Sequence, residues 1–276
     1  MPELPEVETI ARTLREGKGA PSLVGLTIER VTVHWPRHIA VPDANTFQTN
    51  IAGRTIQSID RRGKYLVLSL DRDWLLIHLK MTGDLMMSLA GQEPGPYDHT
   101  VFHFTSGWEL RFSDARKFGR VYLVNDVLQI TAKLGPEPLE GELTLEVFSD
   151  RLTSRKRLLK PLLMDQTFLA GVGNIYADEA LHLSGIHPLR RSNQLSSGEI
   201  ERLWNSIRQA LSDGIRHNGA SLDWVYRGGD FQNHFRVYQR AGESCLECGN
   251  EIERIVVGQR GTHYCPTCQP EVSDGS

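Results

Sequence analysis

The sequence predicts an α+β chain of more than one domain: an N-terminal helix with antiparallel β-structure, then a helical domain, then a metal-braced finger. Three observations carry this expectation. Short β-rich runs fill residues 23 to about 124, and the apolar period turns helical from Leu143 onward. Between the two regimes, LGPEPLEGE (residues 134–142) has the proline and glycine content of a connection between domains. Finally, all four cysteines, Cys245, Cys248, Cys265 and Cys268, lie in the last 32 residues.

PEVETIARTLREGKG reads as the first helix. Its prolines fall in the opening turn, its acids lie at the positive end of the dipole, and Gly17 and Gly19 stop it. TIERVTVHW, RTIQSI, KYLVLSL, WLLIHL, TVFHFT, WELRFS and GRVYLV are candidate strands. Their spacing suits an antiparallel sandwich or barrel rather than alternating β/α units. Helical periods follow in LTLEVFSDRLTSRKRLLKPLLMD, NIYADEALHLSG and SSGEIERLWNSIRQALSDGIRHNG, the last opening at Ser196/Ser197 near Glu199 and Glu201 and stopping at Asn218-Gly219. The expected partition is a β-sandwich domain over residues 1–133, a linker over 134–149, a helical domain over 150–234, a finger over 235–269 and a disordered tail over 270–276.

At 276 residues the chain can build two cores. No apolar run reaches membrane-spanning length, and the N-terminus lacks a signal-peptide layout, so a cytoplasmic, membrane-free protein is expected. Nothing suggests an oligomer, so a monomer is expected. A net charge of −3 gives no hint of nucleic acid, but RLTSRKRLLK (residues 151–160) holds five cations and no acid. A mildly acidic protein binds phosphates when its cations share one face.

Cys245-x2-Cys248 and Cys265-x2-Cys268, sixteen residues apart, have the spacing of a four-thiolate zinc ribbon, with iron the alternative. Four protein ligands leave no open position, so one Zn2+ is expected in a structural role. Between the knuckles, a strand–turn–strand places Arg260 between Gly258 and Gly261. There it either offers a guanidinium to a phosphate or is merely an exposed loop arginine.

MPELPEVETI admits two readings. Met1 before a small residue is normally trimmed, leaving Pro2 with a free secondary amine. Attack on a sugar C1′ would give an iminium ion, an electron sink that drives β-elimination. Glu3 beside it, and Glu6 one turn on, could supply acid catalysis. Equally, prolines and glutamates in a first turn are ordinary helix starters.

Distant segments, read together, favour the chemical reading. MPELPEVET, RRGKYL, HLKMTG, ARKFG, LGPEPL, KPLLMDQ, GVGNIYADEAL, GIHP and QRGTHYC, in this order, resemble the formamidopyrimidine-DNA glycosylase family from residue 2 to about 269. The resemblance implies an N-terminal helix on a two-layer β-sandwich, then a helical domain with a helix–two-turn–helix and a C-terminal zinc finger, with damaged double-stranded DNA in the cleft. It implies Pro2 as Schiff-base nucleophile, Glu3 as acid and Glu6 as its assistant. Lys64 would serve β-elimination, and Arg260 δ-elimination and phosphate grip.

A damaged base must leave the stack and its gap be filled. Met81, Arg116 and Phe118 match the family's wedge, orphan-base partner and stacking ring. Asn174, Lys160, Arg155 and His78 match phosphate or DNA contacts. Tyr97 stands among them where a histidine is often found. The sequence departs from the pattern at Ala115 and Lys117, and in a shortened run over residues 224–234. The implied activity is excision of oxidised purines, 8-oxoguanine and formamidopyrimidines, followed by β,δ-elimination. Alternatives are an endonuclease VIII-like enzyme for oxidised pyrimidines and a non-catalytic zinc-ribbon DNA binder.

Overall fold

Helix α1 (Leu4–Glu16) starts where its prolines and acids predict. Glu3 caps it, the Glu6 side chain accepts the Glu3 backbone N–H at 2.7 Å, and Gly17, at φ 77°, closes it in the left-handed region. The computed structural model describes residues 1–221 and 228–271. Residues 222–227, which hold part of the shortened run, and residues 272–276 of the expected tail lie outside the described residues.

After α1 come β1 (Ile28–Val33), β2 (Ile39–Val41), α2 (Ala44–Ile51), β3 (Ile56–Arg62), β4 (Tyr65–Leu70), β5 (Trp74–His78), β6 (Gly83–Leu89), β7 (Asp98–Phe104), β8 (Trp108–Asp114), β9 (Arg120–Val124) and α3 (Leu128–Thr131). They form two sheets, ordered β1-β7-β8-β6 and β2-β9-β5-β4-β3. Each sheet keeps two edges, so this is a sandwich and not a closed barrel. All pairings are antiparallel except β2 with β9, which is parallel. From α1, Val7, Ile10, Ala11 and Leu14 share the helical spacing of one face and join a core with Ile59, Leu66, Leu68, Ile77, Phe102 and Phe112. Each such burial contributes about 1.5–3 kcal/mol before entropy is counted.

Residues 1–133 with 220–229 form one compact unit, and 134–219 with 230–276 a second. In the second unit, the proline-rich segment is packed rather than loose: the Gly135 N–H donates to Gln166 O, and Leu143 is buried. The long apolar–basic run divides into α4 (Leu145–Thr153) and α5 (Leu159–Leu163). Helices α6 (Asn174–Ser184) and α7 (Ser197–Arg216) follow, the latter opened by the Ser196/Glu199 capping box. They pack closely because Gly214 leaves room for the Tyr176 ring; a Cβ there would sit 2.5 Å from it. Strands β10 (Glu253–Val257) and β11 (Arg260–Tyr264) complete the finger. Among the described residues no helix is long and apolar enough to cross a membrane.

Candidate active site and metal centre

Pro2 is buried, Glu3 is 3% exposed and Glu6 is 2% exposed. Each Glu6 carboxylate oxygen accepts a backbone N–H. One carboxylate oxygen takes the Glu3 N–H at 2.7 Å and the other the Ala220 N–H at 2.8 Å. The carboxylate therefore orients the Pro2–Glu3 backbone. Lys64 sits with Gly63, at φ 58°, in the two-residue turn joining β3 to β4, and is 4% exposed. That turn is bolted to α1. Arg61 Nε meets Glu8 Oε2 at 3.0 Å, and its Nη1 donates to Gly63 O at 3.3 Å. One helix thus carries Pro2 and Glu3 at its start and fixes the lysine turn through its next turn.

His78, matched to a DNA contact, ends β5. It is 8% exposed, and burial, then the Lys80 and Lys64 cations, push its pKa down to about 3. It is therefore neutral near pH 7, and its Nδ1 accepts the Lys80 N–H at 3.0 Å. With Nδ1 accepting, the hydrogen of the neutral ring sits on Nε2, the nitrogen that can donate. His78 holds the bend, with Lys80 at φ 56°, that leads to Met81.

Met81 is half-buried between β5 and β6, whereas Arg116 and Phe118 are exposed between β8 and β9, the guanidinium 5.1 Å from the ring centroid. Sequence reading missed what joins the two loops. Asp114, fully buried, accepts from the Thr82 hydroxyl, from the Arg116 N–H at 3.2 Å and from the Gly119 N–H at 2.6 Å, and lies 3.5 Å from His38 Nε2. Burial alone would raise its pKa; the bonds from His38, Thr82 and Gly119 outweigh burial and hold it at about 2.

The folded pKa lies below the unfolded one, so Asp114 stabilises fully above its ordinary value of 3.8. That contribution is lost as pH falls toward 2. Asp114→Asn should flatten the stability loss between pH 4 and pH 2, as read by thermal unfolding across that window. A loss as steep as the parent's would contradict the assignment. Tyr97 is 51% exposed, and its carbonyl accepts the Asp114 N–H at 2.9 Å, leaving the phenol outward.

In the second unit, Lys160, matched to a phosphate contact, is turned to the interior. It is fully buried, with Nζ 2.6 Å from Asp178 Oδ1, 2.9 Å from Gly261 O and 2.8 Å from Thr262 Oγ1. The ammonium is ion-paired with Asp178 and donates to the Gly261 and Thr262 oxygens, so it braces β11 instead of reaching outward. Lys160→Met would strand the Asp178 carboxylate in the interior. We expect a cost of about 3–5 kcal/mol in urea unfolding; a change under about 1 kcal/mol would show the pair to be dispensable.

Asn174 Nδ2 donates to the same Gly261 carbonyl at 3.2 Å and keeps a second hydrogen. Arg155 is half-buried over the Phe168 ring and donates to Arg151 O at 2.7 Å. Arg260 is exposed at the start of β11, directly after a two-residue turn with Gly258 and Gln259 at φ 56° and 62°. Two successive left-handed residues make a tight hairpin turn, so the arginine projects from a rigid end.

The acids of GVGNIYADEAL, read as part of a DNA-binding helix, build this scaffold. Asp178 Oδ2 accepts the His263 N–H at 3.0 Å. Glu179 accepts the backbone N–H groups of Arg236, Val237 and Tyr238 at 2.9–3.0 Å. Burial raises the Glu179 carboxyl, against the pull of those three donors. Beside them the four cysteine sulfurs lie within 4.8 Å of one another, with Cys245–Cys268 at 3.9 Å and Cys248–Cys265 at 3.4 Å. A tetrahedron with Zn–S bonds of 2.3 Å has edges of roughly 3.8 Å. The thiolates therefore fit one structural zinc, and His182 Nε2, 3.5 Å from Cys245 Sγ, is placed to donate to that sulfur.

Comparison with known proteins agrees with this layout. Residues 1–121 match the formamidopyrimidine-DNA glycosylase N-terminal domain, residues 134–225 the H2TH domain of the same enzymes, and residues 242–270 the zinc finger found in FPG and IleRS. The formamidopyrimidine-DNA glycosylase of Herpetosiphon aurantiacus is 44% identical over 98% of this chain and 100% of its own. That of Protochlamydia amoebophila is 42% identical over 98% and 99%. Among solved structures, Lactococcus lactis Fpg (MutM) bound to DNA containing N7-benzyl-Fapy-dG superimposes with a TM-score of 0.91 at 36% identity, covering 98% of this chain and 100% of that one. A MutM complex with DNA containing carbocyclic 8-oxo-G gives 0.91 at 37%, with the same coverage.

Proposed function

The chain belongs to the formamidopyrimidine-DNA glycosylase family, and on that premise we propose that it excises 8-oxoguanine and formamidopyrimidines from double-stranded DNA and then cuts the strand by β,δ-elimination. One observation carries the reading: Pro2 and Glu3 open a buried helix start, and the turn bearing Lys64 is tied to that same helix. The relatives solved with Fapy-dG and 8-oxo-G DNA support the substrate class.

With Met1 removed, the Pro2 lone pair attacks C1′, the glycosidic electron pair leaves with the base, and the proton shed by the Pro2 nitrogen neutralises the departing base. Glu3 protonates the ribose ring oxygen as C1′–O4′ opens, giving an iminium ion. The α1 dipole keeps the amine neutral before attack. Loss of a C2′ proton then expels the 3′ phosphate, and a second elimination expels the 5′ phosphate. Lys64 and Arg260 stabilise the departing phosphates.

Met81, Arg116 and Phe118 fill the vacated stack, and Tyr97, Arg155 and Asn174 grip the backbone. Glu6, His78 and Lys160 act by positioning. In this reading residues 1–133 carry the chemistry, residues 150–234 and the finger at 235–269 hold the DNA, and the enzyme works as a cytoplasmic monomer. The test is excision from duplexes with 8-oxoguanine opposite cytosine and, separately, thymine glycol. Release of 8-oxoguanine is expected. Release of thymine glycol alone would reassign the substrate to oxidised pyrimidines, and release of neither would remove the enzymatic reading.

A further inference from the structure

We propose that His217, Asp230 and His234 form a second metal site, separate from the cysteine centre, for a divalent transition ion. His217 caps the C-terminal end of α7, while Asp230 opens the 3-10 turn that ends at His234. The ligand atoms of the three residues lie within 4.8 Å of one another. Asp230 Oδ2 is 3.0 Å from His234 Nε2 and 3.8 Å from His217 Nδ1. Ligands about 2.0–2.2 Å from an ion sit at such separations once the His217 and His234 rings, stacked here at 3.7 Å between centroids, swing apart to converge on it.

The backbone already holds the pieces together. Asp230 N–H donates to His217 O at 2.9 Å, and Phe231 N–H to Gly219 O at 3.0 Å. The side chains of His234 and Asp230 are 44% and 57% exposed, so an ion can reach them.

A plainer account exists for part of the cluster. Asp230 at the head of a turn, bonded to Asn233 and His234, is an ordinary local cap. His217, from another element, stacks on the His234 ring at 3.7 Å between centroids and lies near Phe231, which brings its Nδ1 to the same side as the Asp230 carboxylate. Two imidazoles and one carboxylate are an N,N,O donor set suited to Zn2+, Co2+, Ni2+ or Fe2+ and unsuited to Mg2+ or Ca2+. Three protein ligands leave positions for water, unlike the closed four-cysteine site. The chain leaves the helical unit after Gly219 and returns at Asp230, so a bound ion would clip the two ends of that excursion together.

The probe is Co2+ added to the zinc-loaded protein, with metal content, visible absorption and thermal unfolding recorded. One cobalt per chain is expected beyond the retained zinc. It should show weak d–d bands without thiolate-to-cobalt charge transfer, and it should raise the unfolding temperature. In the double variant His217→Asn with His234→Asn, cobalt affinity should fall at least about tenfold and the thermal shift should vanish. If that variant is poorly folded, His234→Asn alone, at the more exposed ligand, should show the same loss in smaller measure. Cobalt found only in exchange for zinc would overturn the proposal, as would affinity unchanged in the folded His234→Asn protein.

Discussion

Protein that retains Met1 is expected to form no covalent complex with DNA and to lose base excision by a factor on the order of 10^4 or more, the scale on which deleting a catalytic nucleophile acts. With Met1 present the Pro2 nitrogen is an amide, its lone pair delocalised into the carbonyl, and it cannot attack C1′. Intact-mass measurement alongside an excision assay checks this on unfractionated protein, where activity should track the trimmed fraction. Pro2→Gly sharpens the test. It keeps a terminal amine that can form an iminium, so it should retain far more activity than the Met1-bearing form. Equal loss in both would show that a terminal amine alone does not suffice and that the proline ring is required as well.

Cys265→Ser should release the zinc and abolish DNA binding, while the β-sandwich unit still unfolds cooperatively. Metal binding in small zinc domains supplies an apparent ~10–16 kcal/mol of folding free energy, far more than the short β10–β11 hairpin can replace. Without it Arg260 loses its rigid base, and the contacts of Lys160 and Asn174 to Gly261 lose their partner. Arg260→Ala separates presentation from chemistry. That variant should keep its zinc and its fold, bind DNA more weakly, and accumulate the β-elimination product. Chelation that left DNA binding intact would show the finger to be dispensable.

What the sequence made legible was local. The α1 start, the Ser196/Glu199 capping box and the paired Cys-x2-Cys knuckles each act within a few residues, and the structure has all three where expected. Strands rich in β-branched and aromatic residues were legible too. The β6 strand, GDLMMSL, was not, having two methionines, an aspartate and no β-branched residue. Helix α2, ANTFQTNI, hides its apolar face in two residues, Phe47 and Ile51.

The site's positioning groups were hidden for a different reason. Lys160 follows a basic run and reads as a surface cation, but its partner Asp178 lies on another helix and buries it. Asp114 reads as the end of a strand, and only the fold brings His38, Thr82 and Gly119 to it. The family resemblance singled out the Met81 and Arg116–Phe118 loops; it carried no sign of the carboxylate that ties them together.

The central claim is that the Pro2 nitrogen is the nucleophile. Methionine-trimmed protein incubated with an 8-oxoguanine:cytosine duplex and borohydride should yield a stable cross-link, since hydride reduces the iminium to an amine. Digestion and mass spectrometry should place the sugar adduct on the N-terminal peptide, at Pro2. An adduct on Lys64 or any other lysine, with Pro2 unmodified, would contradict it.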